Sequence, residues 1–244
     1  MSLATPAGPI RAVVLDMGGV LLDMLGGNGL PIGVLEREGR ERLLQRLRAA
    51  SGRDVDDQLL DRALFDPWSV PYAARYDTGH EAPWEPHLDG LARETGYPGD
   101  PLELLEAWLG PYLEALRPLP GVHEAVAALA REVPLAVVSN VPAPGRFYRD
   151  VLGRHGLQKR FRVLLFSYDE GSRKPSPRML ERAVALLGAP ASRVLMVGDR
   201  RDSDVAAGRA AGTRTAWLTS ERADGPLPDL EAPDLGTLVA RLRG

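Results

Sequence analysis

Short runs of Val, Leu and Ile recur at residues 11–16 (RAVVLD), 135–139 (LAVVS), 162–166 (RVLLF), 193–198 (RVLMVG) and 214–218 (RTAWL). They are apolar throughout instead of alternating with polar residues, which predicts strands buried on both faces. Helical periodicity separates the later runs, at 121–131, 177–187 and 203–210. Strand and helix alternating in this way predict an α/β fold, a Rossmann-like three-layer core with a parallel sheet covered on both sides. The punctuation agrees. Ser176 followed by Pro177 reads as a helix cap and first turn, and Gly188 and Gly212 stand where helices should stop.

Roughly a hundred residues separate the first run from the second, far more than an ordinary connection needs. Helical patterns occupy 34–49, 54–65, 86–95 and 101–116, with Pro and Gly breaks between them and no convincing strand. The chain is therefore expected to form a core from 1–23 and 119–244, and an inserted all-helical cap from 24–118. Trp68, Trp84 and Trp108 fall in the cap and are expected to pack its own core. The arginines of the helix at 41–50 (ERLLQRLRAA) read as a solvated face, and the stretch near 225–233 as a loop before a last short helix. The first ten residues, MSLATPAGPI, lack a basic start and a sustained apolar stretch, so they read as a loose leader and not a signal peptide.

The composition narrows what such a fold could do. A chain of 244 residues with 44% hydrophobic and 26% charged content can bury a substantial core. A net charge of -3 without a long basic run gives no electrostatic reason to expect nucleic acid or an anionic membrane as partner. The absence of cysteine excludes disulfides, thiolate catalysis and cysteine-bound zinc. No stretch approaches the ~20 apolar residues needed to span a bilayer. A cytoplasmic protein acting on a small molecule is the expectation, with monomer and homodimer both open.

In an open parallel sheet, ligands bind beyond the carboxyl ends of the strands, where the strand order reverses. The polar residues there are Asp16, then Ser139 and Asn140, then Lys174, then Asp199 and Asp204. Three carboxylates suit magnesium, a hard cation that prefers oxygen. A Lys and a Ser can hold phosphate oxygens, and a carboxylate can attack phosphorus to give an aspartyl phosphate.

Four segments in order, DMGGVLLD at 16–23, VVSN at 137–140, RKPSP at 173–177 and VGDRRDSD at 197–204, resemble the motifs of the haloacid dehalogenase superfamily. The long insertion falls where that family puts a helical cap. The segment at 74–96 (ARYDTGHEAPWEPHLDGLARETG) looks like the cap of phosphatase-like members with Gly in the first motif. The resemblance implies Asp16 as nucleophile, with Ser139 and Lys174 as phosphate binders beside it. It implies Gly18, Gly19 and Asn140 as substrate-binding positions, Asn140 through a backbone donor. It further implies Mg2+ held by Asp16, Asp199, Asp204 and the carbonyl of Gly18.

One position breaks the pattern. Phosphatases of this family carry a second Asp two residues after the nucleophile, as acid to the leaving group and base to water, and here that residue is Gly18. A phosphonate-cleaving enzyme would need a cap lysine, but the only lysines are Lys159 and Lys174, both outside the cap. A haloacid dehalogenase attacks carbon without metal and has little use for Asp199 and Asp204. The resemblance thus favours a magnesium-dependent phosphatase for a small phosphorylated metabolite. A weak or inactive protein that binds a phosphorylated ligand or a partner is the alternative of a different class. His80 and Glu81 are candidates for the missing proton, although a surface role is the simpler reading of each. Asp23 and Asp202 read as hydrogen-bonding or exposed neighbours of the motifs. His87, His123 and His155 show no metal-ligand spacing.

Overall fold

The computed structural model describes residues 3–24, 31–218 and 225–244. Five of its strands come from the apolar runs: β1 (Ala12–Leu15), β2 (Leu135–Ser139), β3 (Val163–Phe166), β4 (Val194–Gly198) and β5 (Arg214–Leu218). A sixth, β6 (Leu230–Ala232), completes a parallel sheet of order β6-β5-β4-β1-β2-β3. The chain runs outward from β1 through β2 and β3, then returns to the other side of β1 for the rest. The order therefore reverses at β1, and all six carboxyl ends share one edge.

Side chains alternate across each strand, so one face of the sheet collects Ala12, Val14, Ala136, Val138, Val163, Leu165, Val194 and Met196. The helix Arg178–Leu187 covers that face with Met179, Leu180, Ala183 and Leu187, all buried. This spacing places one apolar stripe toward the sheet. Gly188 ends the helix with φ +70°, a conformation only glycine adopts without strain. Ser176 does not cap it. The residue before the first turn is Pro177, and no side chain satisfies that end.

Two further expectations are corrected. Residues 230–232 are a strand and not loop, because Asp229 anchors their approach: its Oδ2 accepts from Thr215 N at 2.7 Å and from Thr215 Oγ1 at 3.0 Å. Residues 3–10, the described part of the expected loose leader, are not loose, since Ala4–Thr5 pairs antiparallel with Gly8–Pro9 and Leu3 and Ile10 are buried. Arg214 ties this small ribbon to the sheet by donating to Thr5 Oγ1 at 2.7 Å and to Ala7 O at 2.8 Å. An additional helix, Gly145–Arg154, follows β2.

The chain divides into two compact units, residues 1–24 with 117–244, and residues 25–116. The first contains the sheet. It also contains a two-residue antiparallel ladder, Leu22–Asp23 against Arg117–Pro118, where the chain leaves and re-enters the unit. Among its described residues the second unit forms helices joined by loops and no strand, with helices Ile32–Ser51, Asp57–Leu60, Asp66–Thr78, Glu85–Thr95 and Leu102–Ala115. A π-helical turn, Asp61–Phe65, joins the second to the third. Helix Asp66–Thr78 escapes the sequence pattern because Pro71 interrupts it. The first and last of these helices approach closely at Gly39, where a Cβ would lie 2.2 Å from the carbonyl oxygen of Trp108. Trp68 stacks on Trp84 at 3.8 Å between ring centroids, and Trp84 meets Trp108 at 5.1 Å, so the tryptophans pack this unit's own interior. In place of a purely solvated face, Arg42 and Arg46 of the first helix pair with Glu114 and Glu103 of the last. No helix among the described residues is long and apolar enough to cross a membrane.

Candidate active site

Asp16 directly follows β1, the central strand, and its N–H donates to Val197 O of β4 at 2.9 Å. Its Oδ1 accepts from Met17 N at 2.7 Å. The chain then turns tightly, with Leu21 N and Leu22 N both donating to Met17 O at 2.9 Å. Gly19 makes the turn possible. It has φ +66°, and a Cβ there would lie 2.2 Å from Asp199 Oδ2, so both the backbone and the neighbouring carboxylate require glycine. Gly18 has no such φ, but a Cβ there would come within 2.8 Å of Met24 Cγ.

The flanking strands deliver the other groups. Ser139, buried, ends β2, and Asn140 follows it. Asp199 follows β4, and Asp204 lies three residues into the π-helical turn Arg201–Val205. Gly198 leaves room for the latter, since a Cβ on it would fall 2.2 Å from Asp204 Cβ. Asp204 is fully buried, and its Oδ2 accepts from Arg200 N at 3.0 Å.

Lys174 is almost completely buried, and its Nζ meets three oxygens: Asp204 Oδ1 at 2.6 Å, Val138 O at 2.9 Å and Asp16 Oδ1 at 3.0 Å. Burial alone would lower the lysine's pKa, but Asp16 and Asp204 outweigh it and hold the ammonium above the ordinary lysine value. Asn140 orients the same residue from behind. Its Oδ1 accepts from Lys174 N at 2.8 Å, and its Nδ2 donates to Lys174 O at 2.9 Å. The amide side chain of Asn140 is thus committed to the lysine main chain, a use that the sequence pattern did not reveal.

Carboxylate oxygens of Asp16, Asp199 and Asp204 all lie within 4.8 Å of one another. One ammonium does not balance three carboxylates in so small a volume. Desolvation and the charges of Asp16 and Asp204 push Asp199 up to about 7. Burial likewise raises Asp204, only partly offset by Lys174. Asp204 Oδ1 lies 2.6 Å from Nζ and has no other partner among the described residues. A cluster of hard oxygen donors, short of positive charge and with an under-satisfied acceptor, fits a divalent cation such as magnesium.

A family model described as haloacid dehalogenase-like hydrolase matches residues 10–212, which include every residue of this cluster. The chain belongs to the haloacid dehalogenase-like hydrolases. This hydrolase is 36% identical to the phosphoglycolate phosphatase of Pectobacterium atrosepticum, over 93% of this chain and 87% of that one. Among solved structures it resembles a Bacillus subtilis hydrolase of the same type bound to magnesium. That pair is 19% identical, with 96% of this chain and 99% of the other covered and a TM-score of 0.62. It also resembles a 2-haloacid dehalogenase from Pseudomonas syringae, at 22% identity, coverages of 95% and 99%, and a TM-score of 0.61. The structural likenesses establish the shared fold.

The hydrolase therefore brings Asp16, Lys174, Asp199 and Asp204 together, with Ser139 at the end of the adjoining strand. Asp202 is engaged by the guanidinium of Arg200 at 2.8 Å, outside the cluster. His80 is exposed and, with Glu81, lies in the other unit.

Proposed function

We propose that the chain is a phosphomonoester hydrolase that uses Asp16 as nucleophile and binds magnesium through Asp16, Asp199, Asp204 and the Gly18 carbonyl. The observation that carries this reading is the carboxylate cluster with its single buried lysine. Attack on carbon, as in a dehalogenase, needs no such acidic pair, so the cluster favours phosphorus. The phosphatase relative supports the same direction. Magnesium would neutralise the phosphate and cluster charges and act as a Lewis acid on the phosphoryl oxygens.

The chain's own residues supply the remaining chemistry. An Asp16 carboxylate oxygen attacks phosphorus, the bond from phosphorus to the ester oxygen breaks, and the departing oxygen leaves as an anion that takes its proton from water. Lys174 and Ser139 hold phosphoryl oxygens while charge develops on them. Water then attacks phosphorus of the aspartyl phosphate, its proton goes to solvent or a base, and inorganic phosphate leaves with Asp16 regenerated. Residues 25–116 act in this reading as the helical cap, and the other unit as the catalytic core.

At position 18 there is no carboxyl group to protonate the leaving oxygen, and the adjoining space is taken by the apolar Met24 side chain. Such a site suits phosphates whose leaving group departs readily as an anion, namely aryl, acyl or anomeric phosphates. The test is phosphate release from an aryl phosphate with magnesium and with a chelator, for wild type and Asp16→Asn. Metal-dependent release abolished by the substitution is expected. Release that survives Asp16→Asn would reject Asp16 as nucleophile.

A further inference from the structure

Trp217 belongs to none of the four motifs, yet it reaches the metal-site loop. It lies buried in β5, in register with Gly198 at the end of β4. Its indole Nε1 donates to the main-chain oxygen of Asp199 at 2.8 Å. Asp199 stands just past the end of β4, so ladder bonding between the strands no longer fixes its carbonyl. A side chain from the next strand does so instead.

The ring of Trp217 is itself held. The Arg201 guanidinium lies 5.2 Å from its centroid, and the same group donates from Nε to Pro226 O at 3.0 Å and from Nη2 to Gly225 O. Arg201 follows Asp199 by two residues, so both ends of the short segment 199–201 are fastened to β5 and to the chain that leads into β6. The arrangement joins a donor on a rigid strand, an acceptor on a carboxylate-bearing residue, and a cation that packs the donor's ring in place.

We propose that Trp217 is a positioning residue for the metal site: it sets the main chain of Asp199, and hence its carboxylate, through the indole N–H, with Arg201 as its support. This rests on the reading of Asp199 as a magnesium ligand. Trp217→Phe keeps an aromatic ring under Arg201 and removes the N–H together with part of the buried indole's volume. Losing one hydrogen bond of ordinary net worth corresponds to about three- to tenfold in an equilibrium constant.

The experiment is a magnesium titration of the full chain, followed by calorimetry and by the indole N–H resonances of its four tryptophans. Three of these, Trp68, Trp84 and Trp108, belong to the other unit and serve as internal references. The expected result is that the Trp217 resonance shifts with magnesium and that Trp217→Phe binds magnesium about three- to tenfold more weakly. Arg201→Met should weaken binding in the same direction by a smaller factor. A purely structural tryptophan would lower the melting temperature without following the metal. Magnesium binding in the wild type with an unmoved Trp217 resonance, or with unchanged affinity in a folded Trp217→Phe, overturns this proposal alone. No binding in the wild type overturns the metal-site reading and this proposal together. If Trp217→Phe does not fold, the wild-type resonance decides.

Discussion

The side-chain amide of Asn140 grips the main chain of Lys174 at two points, accepting from its N at 2.8 Å and donating to its O at 2.9 Å. Lys174 in turn places its ammonium between Asp16 and Asp204. A residue expected to touch substrate through its backbone thus also fixes, through its side chain, the cation beside the proposed nucleophile.

Asn140→Ala should therefore lower catalytic efficiency through Lys174. It removes both bonds and leaves two main-chain groups to find other partners, costing about 1–3 kcal/mol of stability. A displacement of the lysine on the order of 1 Å would cost ~100-fold in rate. Denaturant unfolding and steady-state kinetics measure the two effects separately. Wild-type kinetics in Asn140→Ala would show that the clamp does not matter to the site.

Lys174→Met leaves Asp16 and Asp204 buried beside each other without their cation. Removing one partner from a buried ion pair typically costs about 3–5 kcal/mol. The variant should melt well below wild type in chelator and recover part of the loss with magnesium, which supplies the missing charge. Thermal denaturation with and without magnesium checks this. A recovery no larger than that of the wild type would argue against a shared electrostatic site.

Magnesium binding should strengthen with pH because Asp199 must be ionised to bind a cation. Its folded pKa, about 7, lies above the usual carboxylate value, so the metal-free fold favours the protonated form. That contribution to stability is complete below the ordinary value near ~4 and is lost as pH rises through about 7. Magnesium reverses the preference. Between pH 6 and pH 8 its affinity should rise about tenfold, and the gain in melting temperature on adding it should be larger at pH 8. Calorimetry at the two pH values decides, and a flat profile would remove Asp199 from the ligand set.

Gly18→Asp alone should be a poor rescue of the absent acid, because its Cβ would press on Met24 Cγ at 2.8 Å. The double variant Gly18→Asp with Met24→Ala makes room for the carboxyl. It should accelerate alkyl phosphates selectively, narrowing the preference for aryl esters, since a proton donor matters most for a basic leaving group. The readout is the ratio of kcat/KM for an aryl and an alkyl phosphate in each protein. A wild type that turns over both equally, with no gain in the double variant, would show that another residue supplies the proton. His80 and Glu81 would then be replaced by Ala.

By itself the sequence determined the α/β class and the polar residues to watch, for a simple reason. A strand buried on both faces must be apolar along its whole length, so RAVVLD and RVLMVG announce where β1 and β4 end and where Asp16 and Asp199 begin. The long helical insertion was legible from its periodicity for the same reason of burial. Only the tertiary structure showed what depends on a neighbour distant in sequence. β6 has three residues and pairs on one side only, so it carries little apolar signal and takes its place through Asp229 and Thr215. The N-terminal ribbon is held by Arg214, some two hundred residues away. The motif RKPSP names Lys174 but does not reveal that its ammonium is buried against two carboxylates and a carbonyl, or that Asn140 holds its main chain. Trp217 looks in the sequence like one more apolar strand residue; its N–H acquires a meaning only when β5 is laid beside β4.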